Sequence, residues 1–334
     1  MANIHDVARL AAVSPMTVSR VLNRSAPVKE GTRVRVEQAV KRLNYLPNRL
    51  AGSIVSKRGA HILALVMPDI VNPFYTSVAR GAEDTARANN YTLIICNHDD
   101  DSNKEAEYFR SLLSLRVDGF LWIPSGDKAR RHLRLLTDHR TPFVLIDRKP
   151  KGYSGDYVGG DNINGAIALV QLFISKRHRR IAFIGGPSRI STARDRLTGY
   201  KAALEQNSIR FDQNLVYMGE NFTGNIAEPA LDRFLRASQP PTAVLAANNA
   251  IAIGFLRTLR KRGMDVPQDF ILACFDRIDA MDLIRPTITM AIQPAYNFGT
   301  IAAQLLLERL KNIIVEEHRT ILLRPEITIG TSTD

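Results

Sequence analysis

Residues 4–23 read IHDVARLAAVSPMTVSRVLN, and the rest of the chain is best understood outward from this stretch. Ile4, Val7, Ala8 and Ala11 fall on one face of a helix. Ala12-Val13-Ser14 interrupts that face, and Ser14-Pro15-Met16-Thr17 reads as a new helix start. The Ser14 hydroxyl can accept a free backbone N–H, and Pro15 suits the first helical position, where its missing N–H costs nothing. Val18, Val21 and Leu22 continue along one face of this second helix. A third amphipathic helix follows, with Val36, Ala39, Val40 and Leu43 inward and Arg33, Arg35, Lys41 and Arg42 mostly outward. Two short helices across a tight turn, braced by a third, predict a helix-turn-helix.

Charge supports a polyanion-binding role for this segment. Residues 1–60 hold eleven Lys and Arg against Asp6, Glu30 and Glu37, a net of +8, while the whole 334-residue chain carries +12. A basic module on a near-neutral body is the electrostatic footprint of a nucleic-acid-binding head, although a solvated face of a plain three-helix bundle has the same charge. With Val18 and Val21 in the core, Met16, Thr17 and Arg20 are left facing a major groove. Arg20 can bridge guanine O6 and N7, and Met16 can touch a thymine methyl. Ser14, Thr17, Ser19 and Asn23 carry short polar groups suited to phosphate.

The composition, with 45% apolar and 23% charged residues, excludes a collagen-like chain, a mucin-like stalk and wholesale disorder. No apolar run approaches the roughly 18 residues of a membrane span, and the N-terminus does not resemble a secretory signal. Cys96 and Cys274 sit in apolar runs, as expected of reduced thiols in the cytoplasm. Beyond residue 60, apolar β-rich runs at 61–67, 91–96, 117–123, 142–147, 180–185, 242–246 and 269–275 alternate with helical stretches at 74–89, 104–115, 163–177, 192–206, 224–237, 249–262 and 295–311. This alternation predicts βαβ units and parallel sheets, in two lobes because the strands are too many for one sheet. Ligands in such folds lie beyond the carboxyl ends of strands, here between lobes.

Strand-end loops then supply the pocket candidates. After 61–67 come Asn72 and Phe74, the latter able to stack on a sugar or base. After 180–185 come Thr192, Arg194 and Arg196. Strand 242–246 leads to Asn248, and 269–275 ends at Asp276. The plainer reading makes Asn248 and Asp147 loop ties and Phe74 partly core.

The stretch at 4–23, followed by TRVRVEQAVKRLNYLPNRLAGSI at 32–54, closely resembles the LacI family of bacterial transcriptional regulators. VDGFLW at 117–122, RRIAFIGGP at 179–187, RDRLTGYKAAL at 194–204, VPQDFILACFD at 266–276 and PTITMAIQP at 286–294 extend the resemblance over essentially the whole chain. It implies an all-α helix-turn-helix head at 1–48, a hinge helix at 49–58 and an α/β two-lobed core with parallel sheets at 59–334, like type I periplasmic binding proteins. The lobes would comprise about 59–160 with 294–320, and about 161–293 with 321–334. It also implies a homodimer on a pseudo-palindromic double-stranded operator, with Tyr45 and Asn48 added to the DNA contacts. Ile54 stands where relatives wedge an apolar side chain into the minor groove, usually leucine. By family position, Arg196 and Asp276 would grip a small-molecule effector from opposite sides. Asn248, Thr192, Asp147 and Ser125 would add hydrogen bonds, and Phe222 a stacking face.

Three departures from the family pattern bear on function. Lys29 stands where serine often caps the third helix, and a lysine cannot accept a backbone hydrogen bond. Asn249 and Arg277 stand where aspartates are common, and Arg148 follows Asp147. These tilt the expected effector towards a sugar acid or sugar phosphate, with a neutral sugar or nucleobase close behind. A phosphorylated protein co-regulator, as in some catabolite regulators, is the remaining alternative. An enzyme is not expected. The chain lacks the phosphate-loop, zinc-protease, paired-cysteine, dinucleotide and serine-elbow motifs, and its seven histidines form no metal-ligand cluster; no cofactor or metal is expected.

Overall fold

The computed structural model describes residues 2–23, 26–46, 59–278, 287–311 and 317–333. The chain divides into two compact units, meeting between Ala60 and His61.

In the first unit, α1 spans Ile4–Ala11, α2 Pro15–Asn23 and α3 Glu30–Arg42. Asn3 opens α1 with a reciprocal cap. Its side-chain oxygen accepts from His5 N at 2.8 Å and Asp6 N at 3.1 Å, while the Asp6 carboxylate accepts from Asn3 N at 3.0 Å. Helix α1 ends at Ala12, whose φ of 52° is left-handed, a conformation that costs a residue with a Cβ. That turn aims the chain into Ser14, whose Oγ accepts from Thr17 N at 3.2 Å to cap α2. Val7, Ala8, Ala11, Val18, Val21, Val36 and Ala39 form the core, with Val40 and Leu43 packed at its margin. Helix α3 has no side-chain cap at Lys29, as the chemistry of lysine requires.

The second unit contains two six-stranded sheets. The first runs β11-β5-β4-β3-β1-β2, comprising β1 (Ile62–Met67), β2 (Thr92–Asn97), β3 (Gly119–Trp122), β4 (Phe143–Ile146), β5 (Tyr157–Gly160) and β11 (Thr320–Leu323). The second runs β12-β10-β9-β8-β6-β7, comprising β6 (Ile181–Gly185), β7 (Val216–Met218), β8 (Ala243–Ala246), β9 (Ile271–Phe275), β10 (Thr289–Ile292) and β12 (Glu326–Thr328). The seven apolar runs all form strands; helices covering both sheet faces bury six of them, while the edge strand β2 is only partly buried, with Ile95 41% exposed. Pairing is parallel except at β12, which lies antiparallel to β10. The sheets are parallel as expected, with that single edge strand reversed.

The chain passes between the lobes three times. It leaves β5 at Asp161 for α7 (Asn162–Ser175), and leaves β10 at Gln293 for α11 (Ala295–Leu310). The last passage lies at Arg324-Pro325, a few residues beyond the expected 320, because Ile321–Leu323 still pair with Val158–Gly160. Pro325 ends that pairing, since proline offers no N–H to a ladder. Helix α11 returns to the first lobe against α4 (Pro73–Ala88). The two touch so closely that a Cβ at Gly299 would sit 1.9 Å from Val78 O.

Candidate DNA-reading surface and effector cleft

On the first unit, Met16 is 63% exposed, and Arg20 and Ser14 are also exposed. Thr17 and Ser19 are half-buried. The Ser14 and Thr17 hydroxyls share a hydrogen bond of 2.9 Å, so both already serve the helix start. Tyr45 packs partly against the head core. Asn48 and Ile54, the whole hinge at 49–58 and the side chain of Asn23 lie outside the described residues. Exposed Lys29, Arg35, Lys41 and Arg42 keep the surface basic, whereas Arg33 is tied to Glu30 at 2.7 Å.

In the second unit, the carboxyl ends of the strands enclose a cleft of about 310 Å³. Eight of the ten predicted residues line it: Asn72, Phe74, Asp147, Thr192, Arg196, Phe222, Asn248 and Asp276. Their local roles follow from position. Asn72 caps α4, accepting from Phe74 N at 3.0 Å, and Asn248 caps α10 (Asn249–Lys261), accepting from Ile251 N at 2.9 Å. Asp147 and Asp276 end β4 and β9 with φ of 60° and 68°. Such strained aspartates at equivalent strand ends are what a site imposing side-chain direction produces.

Charge in the cleft is heavily compensated. The buried Arg196 guanidinium donates to Asn162 Oδ1 at 2.7 Å and to Ala247 O, stands 3.7 Å from Asp276 Oδ2, and stacks 4.1 Å over the Phe275 ring. Gln293 donates to Asp276 Oδ1 at 2.7 Å. A Cβ at Gly160 would fall 1.8 Å from Gln293 Oε1, so a larger residue there would shift the Gln293 amide that holds Asp276. Arg148 is equally buried; it bonds Asp100, donates to Tyr75 Oη at 2.9 Å and lies 5.5 Å over the Phe222 ring. Burial opposes its charge, but Asp100, Tyr75 and Asp147 outweigh that and hold its pKa above the ordinary value. Burial pushes the Asp147 carboxyl up to about 6, against the pull of Arg148 and Arg196. Asp276 is raised for the same first reason, against Arg196 and the Gln293 bond.

Two predicted residues lie elsewhere. The Ser125 hydroxyl donates to Glu105 at 2.7 Å inside a buried cluster with Trp122 and His132. Arg194 reaches from the second lobe to Asp127 of the first at 3.0 Å, outside the cleft. Both follow strands as a ligand residue should, but a buried acid claims one and the lobe margin the other. Phe74, 7% exposed, packs edge-on to Tyr75 and Phe298, so it is mostly core. Tyr75, Asp100 and Gln293 were missed. Asp100 lies in the loop three residues beyond the end of β2, where the strand-end rule would have found it; Tyr75 is hidden because helical periodicity cannot separate it from Phe74.

Of the features that pointed to an anion, only Arg148 places positive charge in the cleft, and there it is paired with Asp100. Arg277 is exposed and absent from the lining, and Asn249 bonds Asn72 and the Arg277 carbonyl, at 3.3 and 3.0 Å. Five aspartates, at 69, 99, 100, 147 and 276, line the cleft against two arginines.

Comparison with known proteins agrees with this geometry. Residues 3–48 match the model of the bacterial regulatory proteins of the lacI family, and residues 170–333 match a periplasmic binding protein-like domain. The chain is 33% identical over 319 residues to catabolite control protein A of Staphylococcus xylosus, covering 96% of this chain and 95% of that protein. The chain belongs to the LacI family. A second LacI-family relative, the HTH-type transcriptional repressor PurR of Vibrio atlanticus, is 32% identical, with 98% and 97% covered. The solved complex of the regulator CelR with cellobiose has a TM-score of 0.75 at 28% identity, over 99% of this chain and all of that one. LacI-family membership makes this a DNA-binding transcriptional regulator with a ligand-binding core, and its relatives are regulators rather than enzymes.

Proposed function

We propose that this regulator is a cytoplasmic homodimeric repressor of carbohydrate-related genes, and that its effector is a neutral mono- or disaccharide bound in the cleft. The observation that carries this reading is the charge pairing: Arg148 with Asp100 and Asp147, and Arg196 with Asp276. An incoming carboxylate or phosphate would have to displace those partners and face the remaining aspartates. Sugar hydroxyls, in contrast, can donate to Asp147 and Asp276 and accept from amides, while the half-buried Phe222 ring offers an aromatic face. Among the described residues, the buried Asp147 Oδ1 has no hydrogen-bond partner, which leaves an acceptor for a hydroxyl. The preference for a sugar acid or sugar phosphate is therefore reversed.

Two heads of a dimer would read a pseudo-palindromic operator through Met16 and Arg20. Asn72–Asn249 beside the cleft and Arg194–Asp127 at the lobe margin link the two lobes, so effector binding biases the lobe arrangement. We take the outcome to be release of DNA. Thermal unfolding against neutral sugars, sugar acids, sugar phosphates and purines tests the ligand class. A ligand at a hundredfold excess over its Kd stabilises by about 2.7 kcal/mol. A shift confined to neutral sugars supports the proposal, and a shift confined to sugar acids or phosphates refutes it. Purines alone would point to a nucleobase effector, and no shift at all to a protein co-regulator.

A further inference from the structure

Away from the cleft, the first lobe carries a groove of about 620 Å³ between α6 (Arg130–Asp138) and the loop after β4. Its floor is apolar: Leu133, Leu136, Phe143 and Tyr153, the last two with rings 6.3 Å apart. Its rim carries Arg130, Arg140 and Lys151, all exposed. Among the described residues, these three side chains make no hydrogen bond or ion pair. The groove's carboxylate, Asp156, is already consumed by Arg309 at 2.8 and 3.1 Å and by Arg319 N at 2.8 Å. Gly152, with φ of 71°, lets the loop turn where a Cβ would stand 3.4 Å from Arg130 Nη2. Three free cations over an aromatic floor complement one kind of molecule: an anionic head on an apolar body.

The groove is also wired to the cleft by a single loop. Asp147 and Arg148 face the cleft; Lys149 N donates to Ser191 Oγ of the other lobe at 3.0 Å; Lys151 N donates at 3.2 Å to Asp127, the partner of Arg194. Lys151, Gly152 and Tyr153 then enter the groove. We propose that this groove is a second ligand site, for a small organic anion bearing an aromatic or acyl group, and that its occupant stiffens the loop that carries the cleft residues. The site is separate from the saccharide cleft, so either proposal stands or falls without the other.

Calorimetric titration with 1-naphthyl phosphate, 1-naphthol and inorganic phosphate tests it on the full chain. Naphthyl phosphate should bind saturably at one per chain, about tenfold or more tighter than either fragment. The triple variant Arg130→Ala, Arg140→Ala, Lys151→Ala should lose that binding about tenfold or more while unfolding at the same temperature, since all three side chains are exposed. Bound naphthyl phosphate should slow hydrogen exchange in residues 147–156. Equal binding of 1-naphthol, absence of saturable binding, or unchanged affinity in the triple variant would overturn the proposal. Binding lost instead in Phe222→Ala would place the anion in the cleft and overturn it as well.

Discussion

Asp147→Asn should make the ligand-free protein more stable and less responsive to effector. The Asp147 carboxyl is buried, its Oδ1 has no partner among the described residues, and Arg148 Nε stands 3.8 Å from Oδ2. Burial raises its pKa from 3.8 to about 6. A raised carboxyl pKa favours the protonated folded form, so the stability it allows is present below about pH 4 and lost as pH rises through 6. The rise of about two pKa units corresponds to roughly 3 kcal/mol above pH 6. Asparagine keeps the shape and cannot ionise, so the variant escapes that loss. For a unit of this size, roughly 3 kcal/mol is worth about 5–10 °C. Thermal unfolding of both proteins at pH 4.5 and pH 8 measures it: the variant should gain at pH 8, and the gap should shrink towards pH 4.5. A variant no more stable than wild type at pH 8, or a gap independent of pH, would refute the reasoning.

Other predictions follow from single contacts. Glu105 accepts from Trp122 Nε1, Ser125 N, Ser125 Oγ and His132 Nδ1 within 3.0 Å, so Glu105→Ala strands four buried donors and should cost more than about 4 kcal/mol in urea unfolding. Despite burial, those bonds with His98 hold Glu105 below its ordinary 4.5, so its contribution is present above that pH and lost as pH falls through the lower folded value, opposite in sign to Asp147. Ala12→Gly relieves the left-handed turn before α2 and should gain about 1 kcal/mol, read as roughly fivefold slower hydrogen exchange at Val18 and Val36. Arg20→Ala should leave the head folded, weaken a selected operator by about 1–3 kcal/mol and relax preference at one base pair in binding-site selection.

The parts of the fold that periodicity governs were legible in the sequence. The head's three helices and the seven apolar strands follow from alternation that burial on known faces demands. Other strands were hidden: Val216–Met218 is three residues long, and Tyr157–Gly160 carries two glycines that weaken any strand signal. The apolar run ILLRPEITIG at 321–330 has the content of one strand, yet Pro325 divides it between two sheets. Helix α6, RRHLRLLTD, was overlooked because its apolar positions are few between charged ones. In the cleft, strand ends were a good guide to Asp147, Asn248 and Asp276. What they could not convey was pairing. Arg148 looked like a free cation from sequence and is instead neutralised by Asp100, some 48 residues earlier, and that one long-range contact changed the inferred ligand class.

The most direct measurement is fluorescence anisotropy of a selected operator duplex, titrated with protein, with and without the saccharide found by thermal unfolding, for wild type and Asp276→Asn. Coupling between sites of this kind is worth about 5- to 150-fold in affinity. Wild-type operator affinity should fall by about tenfold or more with the sugar, and Asp276→Asn should bind the operator normally but ignore the sugar. A wild-type affinity that the sugar leaves unchanged, or an Asp276→Asn variant that still responds fully, would contradict regulation through this cleft.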